Sequence, residues 1–220
     1  MGYAEQYYRH ENLSSVVTDY IKKKILLGEF KEGDHIPEAN VADELGISRA
    51  PVREGIRELQ NQGLINFVPR RGSYVTKLDM DDVREIFDIR ILLENSVLEI
   101  LINEKRLSLE DILALRAIVD SMVAIAKEED KDSNKIVRLN EKDIEFHKFL
   151  WQKSGSKRRL KILIDLYFQL QMAMVIDTKL TGNLDVTAKD HYDIIKYLEQ
   201  GDLENCLQAL RNHIITYKMR

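Results

Sequence analysis

Four residues in the C-terminal two thirds carry side chains that bind metal ions or move protons, and all four fall where a helical apolar stripe calls for leucine. Asp143 and His147 are spaced i, i+4 and align with Ile136, Leu139 and Leu150. His191 is in register with Ile194, Ile195 and Leu198, and His213 with Cys206, Leu210 and Tyr217. Side chains three, four or seven apart share one face of a helix. An isolated inward histidine is ordinarily a core residue hydrogen-bonded to a carbonyl. Three of them, with an aspartate one turn from the first, form a set suited to Zn²⁺, with Ni²⁺, Mn²⁺ and Fe²⁺ as alternatives. Such a set leaves coordination positions for water or a ligand oxygen. Spacing alone keeps the core and metal readings both open, because it does not require the helices to converge.

Two more polar residues accompany this set. Arg90 lies on a stripe with Ile86, Leu93 and Val97, where it is either a partner for the carboxylate of a small organic-acid effector or an ion pair with Glu94 at i+4. Asn140, one turn before Asp143, is a second candidate effector contact. No further inward carboxylate or histidine is evident to act as a general base. Glu145 lies about 200° around the helix from His147. The set therefore favours binding over catalysis, and a non-enzyme is expected. The competing readings are a metal-dependent enzyme that activates water at an Asp/His₃ site and a metal that is purely structural or itself the sensed ligand.

A second constellation sits near the N-terminus. Arg49, Arg53 and Arg57 are spaced i, i+4, i+8, so they drift only about 40° per step and share a helix face able to enter a major groove. Arg70 and Arg71 fall at the tip of a hairpin, Leu64 to Val68 and Ser73 to Thr76, with Gly72 in the turn. Such a tip touches DNA backbone or minor groove. The opposing reading, a solvated face paired with Glu54 and Glu58, is weakened by the joint order of turn glycine, arginine-bearing helix and basic wing. Overall charge hides this: 33 Lys+Arg against 37 Asp+Glu give a net charge of −4. Distribution matters more. Ile47 to Lys77 carries a net +4, whereas Gly28 to Gly46 carries −5.

The elements that must position these residues are legible from periodicity. Leu13, Val17, Ile21 and Ile25 mark a first helix stopped by Gly28, and an irregular link spans Phe30 to Pro37. Val41, Ala42 and Leu45 mark a short second helix ending at Gly46. A third helix opens with Ser48 as N-cap and Pro51 in its first turn, and closes at Gly63. After Lys77 there is no proline, and six helices are predicted: Asp79 to Asn103, Ser108 to Lys127, Asn134 to Lys153, Lys157 to Thr178, Val186 to Gln200 and Asp202 to Lys218. Leu180 to Asp185 reads as a mobile loop. The fold class is mainly α, an N-terminal winged helix-turn-helix over 1–77 and a C-terminal all-α helical bundle over 78–220. The lone Cys206 excludes an intrachain disulfide, and no apolar run approaches a membrane span of roughly 20 residues. A cytoplasmic protein without membrane partners is expected.

The run Ile25 to Phe30, Gly33-Asp34, Pro37-Glu38 and Val41 to Glu54 closely resembles the winged helix-turn-helix of the GntR family of bacterial regulators. The resemblance implies DNA contacts at Ser48, Arg49 and Arg53, and at Arg71 and Gly72 of the wing. Gly55 departs from it, since alanine is more usual after the Arg-Glu pair; a glycine there costs on the order of 1 kcal/mol and predicts a less rigid helix. Asp143 to His147, His191 with Ile194-Ile195, Gly201-Asp202 and His213-Ile214 resemble the FCD effector domain of the FadR subfamily, in its metal-binding branch. That likeness implies that Asp143, His147, His191 and His213 hold a divalent metal and that a fatty acyl effector is not expected. Together the two likenesses imply a ligand-responsive regulator, expected to be a repressor. It would bind a pseudo-palindromic double-stranded operator as a homodimer, its affinity set by a small carboxylate metabolite at the metal.

Overall fold

The computed structural model describes residues 3–129, 133–181 and 183–214. Contacts divide the chain after Asp79 into two compact units.

The first unit is built on α1 (Tyr3–Leu26), which starts ten residues ahead of the Leu13 expected from apolar periodicity. Val17 and Ile21 are fully buried on it. Strand β1 (His35–Ile36), helices α2 (Glu38–Leu45) and α3 (Arg49–Asn61), and strands β2 (Ile65–Val68) and β3 (Gly72–Val75) follow. The link between α1 and α2 is less irregular than predicted. His35 pairs with Tyr74 and Ile36 with Ser73, so the wing is a three-stranded antiparallel sheet in the order β1-β3-β2. Two residues are too few to give a period-2 signal, but Ile36 is buried at 1% exposure and anchors the strand.

Helix α2 ends at Gly46, whose φ of 63° is the left-handed cap conformation glycine adopts without strain. Ser48 occupies the N-cap of α3 with extended backbone, yet its hydroxyl makes no capping hydrogen bond, a departure from the expected role. Val52, Ile56 and Leu59 form the buried stripe of α3, leaving Arg49, Arg53 and Arg57 exposed.

The reason for Gly55 is packing against α1. A Cβ there would meet Val17 Cγ1 at 2.7 Å, Val17 Cβ at 2.9 Å and the Ser14 carbonyl oxygen at 3.0 Å. The glycine lets two helices approach, and its cost in helix propensity is the lesser term. Gly55→Ala gains about 1 kcal/mol of propensity but incurs roughly 1–3 kcal/mol of overpacking. We expect hydrogen-exchange protection of the α1 and α3 amides to fall in this variant; a rise would show that the close approach is not needed.

The second unit contains α4 (Met80–Asn103), α5 (Leu109–Lys127), α6 (Ser133–Lys153), α7 (Lys157–Thr181), α8 (Leu184–Gln200) and α9 (Leu203–Ile214). Ser108 starts α5 with a reciprocal cap: its hydroxyl accepts from the Asp111 N–H at 3.2 Å while the Asp111 carboxylate accepts from the Ser108 N–H at 3.0 Å. The loop predicted over Leu180 to Asp185 is largely helix. Helix α7 continues to Thr181, and α8 begins at Leu184 because the Asn183 side chain accepts from the Val186 N–H and caps it. The expected extension of the last helix to Lys218, with Tyr217 on its stripe, lies outside the described residues. Helices α4, α6, α8 and α9 pack on one another, and that convergence positions the site. Among the described residues no helix is long and apolar enough to cross a membrane.

Candidate metal centre and nucleic-acid face

The four stripe-bound polar residues meet. Asp143, His147, His191 and His213 are all buried, and one ligand atom from each lies within 4.8 Å of the others. Asp143 Oδ1 is 3.1 Å from His191 Nε2 and 3.3 Å from His213 Nε2, and its Oδ2 is 3.8 Å from His147 Nε2. The Nε2 atoms of His147 and His213 approach to 3.3 Å with their rings stacked. Phe146 presses edge-on against His147 and His191 and closes one side in hydrocarbon.

The far sides of two rings decide which nitrogen faces the cluster. His147 Nδ1 lies 2.5 Å from Glu94 Oε2, and His191 Nδ1 lies 3.0 Å from the Thr187 carbonyl oxygen. Both partners only accept, so each Nδ1 carries the proton and, in a neutral ring, each Nε2 presents a bare lone pair inward. His191 Nε2, although close to Asp143, has no hydrogen-bond partner among the described residues. The bare lone pairs of His147 and His191 beside the Asp143 carboxylate are repelled unless a cation, or a proton given by His213 Nε2, lies between them. Metal–nitrogen and metal–oxygen bonds of about 2.0–2.2 Å separate two ligands of one ion by at most about 4.4 Å. The separations of 3.1–3.8 Å lie near the roughly 3.4 Å edge of a tetrahedron with such bonds, and the widest pair would have to close further. The donor set is one that could hold a divalent metal ion through these four residues.

Burial favours neutral rings at His147 and His213. Burial pushes His213 down to about 3, reinforced by the neighbouring His191. Burial also lowers His147, against the pull of Glu94. Burial disfavours the Asp143 carboxylate, but His191 and His213 overcome it and hold the group well below its usual range. Glu94, also penalised by burial, is carried down to about 2 by His147 and Arg90.

Arg90 reaches this cluster from α4. Its Nε donates to Glu94 Oε1 at 2.6 Å and its Nη2 to Asp143 Oδ2 at 3.3 Å. Asn140 is buried on α6, one turn before Asp143. Glu94 is the inward carboxylate that sequence reasoning did not assign to this site. The signal was present: Glu94 shares the buried stripe of Val83, Ile86, Phe87, Arg90, Ile91 and Val97.

On the first unit, Ser48, Arg49, Arg53 and Arg57 are exposed along α3, and Arg70 and Arg71 are exposed at the wing turn. Arg53 Nε pairs with Glu38 at 3.1 Å. The Tyr74 hydroxyl donates to the Arg71 carbonyl at 3.2 Å and pins the turn. Gly72 has φ of 101°, a backbone conformation that glycine adopts without strain.

Two family models match: bacterial regulatory proteins of the gntR family over residues 13–75 and the FCD domain over residues 85–216. The chain belongs to the GntR family. It carries the helix-turn-helix of these transcriptional regulators and, behind it, the effector-binding FCD domain. This GntR-family chain is 30% identical over 196 residues to the gluconate operon transcriptional repressor of Bacillus subtilis (strain 168), spanning 87% of this chain and 72% of that protein. It is 27% identical over 197 residues to the HTH-type transcriptional regulator YdhC of the same organism, spanning 90% and 84%. The solved structure of E. coli McbR/YncC shares the fold, with a TM-score of 0.74 at 19% identity over 92% of this chain and 93% of that one.

Proposed function

We propose that this GntR-family regulator is a repressor that grips a pseudo-palindromic operator as a homodimer, through Ser48, Arg49, Arg53 and Arg57 of α3 and Arg70, Arg71 and Gly72 of the wing. Its FCD unit holds a divalent metal, Zn²⁺ first, at Asp143, His147, His191 and His213, and a small hydroxy- or carboxylate acid completes the coordination. The observation that carries this reading is the convergence of three buried histidine Nε2 atoms on one buried carboxylate.

Charge balance supports an anionic effector. With the histidines neutral, Arg90, Glu94 and Asp143 sum to −1 in a fully buried site. A divalent ion makes that +1, which one carboxylate neutralises; an unbalanced buried charge is costly. The similar Bacillus subtilis repressor is named for a gluconate operon, and gluconate carries adjacent carboxylate and hydroxyl oxygens, the chelating pair an open metal position takes. Both oxygens of Glu94 are engaged by Arg90 and His147, which argues against its serving as a hydrolytic base.

The test is a titration of gluconate, malate and citrate into the zinc-loaded protein, followed by Trp151 fluorescence and by anisotropy of a duplex from upstream of its own gene. Trp151 is buried one turn beyond His147. The expected result is an acid that changes Trp151 emission only when metal is present and weakens the DNA complex at least tenfold. Operator affinity that follows zinc alone would make the metal itself the signal. DNA affinity indifferent to both would sink the effector reading.

A further inference from the structure

His147 and Asp143 stand one turn apart on α6, and Arg90 and Glu94 stand one turn apart on the facing α4. The two pairs close a ring of buried contacts. Glu94 Oε2 lies 2.5 Å from His147 Nδ1, Glu94 Oε1 accepts from Arg90 Nε at 2.6 Å, and Arg90 Nη2 donates to Asp143 Oδ2 at 3.3 Å. All four side chains are 2% exposed or less. We infer that Glu94, backed by Arg90, is a positioning group for the metal ligands: it fixes the His147 tautomer that turns Nε2 inward and, through Arg90, orients the Asp143 carboxylate.

The ring divides the work of each group. Asp143 gives Oδ1 to the side of His191 and His213 and Oδ2 to Arg90. Glu94 gives one oxygen to each neighbour. Arg90 thereby ties two of its nitrogens to the Glu94 and Asp143 carboxylates, while Nη1 meets only the Met174 sulfur at 3.8 Å. This assignment rests on the reading that the four residues hold a metal, but the tautomer it fixes belongs to the metal-free protein as well.

Two variants test it. Glu94→Gln offers a single oxygen to two donors, so one of Arg90 and His147 faces an amide N–H. Arg90→Met combined with Glu94→Leu replaces the pair by apolar side chains of similar size, a change that buried ion pairs often tolerate. In both, Zn²⁺ affinity measured against a chromophoric chelator should fall about 10–100-fold, the usual effect of losing a partner behind a metal ligand. Long-range ¹H–¹⁵N spectra of the metal-free wild type should show His147 protonated at Nδ1 alone, and those of the double variant a mixture of tautomers. If the buried amide keeps Glu94→Gln from folding, the double variant decides. A wild type that binds no Zn²⁺ overturns the metal reading, while the tautomer still tests the role of Glu94. Variants that bind Zn²⁺ like the wild type and keep His147 protonated only at Nδ1 overturn this inference.

Discussion

Stripping the metal from the wild-type protein with a chelator is expected to lower the melting temperature of the FCD unit by about 10 °C. The ligand atoms of α6, α8 and α9 converge only in the folded bundle, so metal binding favours the native state over the unfolded chain. At a free metal concentration about 1,000 times the dissociation constant, that preference contributes about 4 kcal/mol. Each kcal/mol moves the transition by about 2–4 °C for a unit of this size. His191→Ala removes one ligand while leaving Glu94, Arg90 and Asp143 paired, and should melt at one temperature with or without chelator. Calorimetry on both proteins checks the result; equal chelator sensitivity would mean that the metal lies elsewhere.

The metal-free FCD unit should also weaken in acid, from the same groups. His213 has a native value of about 3 against 6.5 in the unfolded chain. Between those values the unfolded state takes up a proton that the native state refuses, so stability falls as pH drops below about 6.5. Glu94, carried from 4.5 to about 2, adds a second loss as pH falls through that range. The stabilisation is fully present only above the unfolded histidine value. Metal binding, which needs neutral rings, fails in the same direction.

Arg49→Ala combined with Arg53→Ala should weaken operator binding at least thirtyfold without altering the fold. Both side chains are exposed on α3 and support none of its core. A bidentate arginine contact to a base contributes roughly 1–3 kcal/mol, and the pair therefore about 2–6. Arg53 is tied to Glu38 at 58% side-chain exposure; an exposed pair of this kind is worth under about 1 kcal/mol, so DNA can displace it. If either arginine pairs with a phosphate, the slope of log affinity against log salt should also become shallower by about one for each phosphate no longer neutralised. Anisotropy titrations across salt concentrations check both effects. Unchanged binding would remove α3 as the reading helix.

What the sequence makes legible follows from where the physics is local. The arginine face and the helices of the FCD unit show in i, i+4 spacing, because periodicity is set by the helix itself. The ligand histidines show as violations of apolar stripes. Their convergence does not, since it depends on how α4, α6, α8 and α9 cross. Glu94 is hidden for a related reason: beside Arg90 it reads only as an i, i+4 ion-pair partner, and only the fold brings His147, 53 positions away, against its other oxygen. Gly55 misleads in the same manner, its propensity cost being local and its contact with Val17 distant. The two-residue β1 and the join between α7 and α8 are too short to carry a period at all.

His191 differs from His147 in what holds its ring. The Thr187 carbonyl that receives its Nδ1 proton is main chain, so substitutions at neighbouring positions leave that tautomer in place. His147 depends instead on one side chain, Glu94. Relatives that drift at position 94 can retune one ligand of the site while the other stays fixed by the backbone.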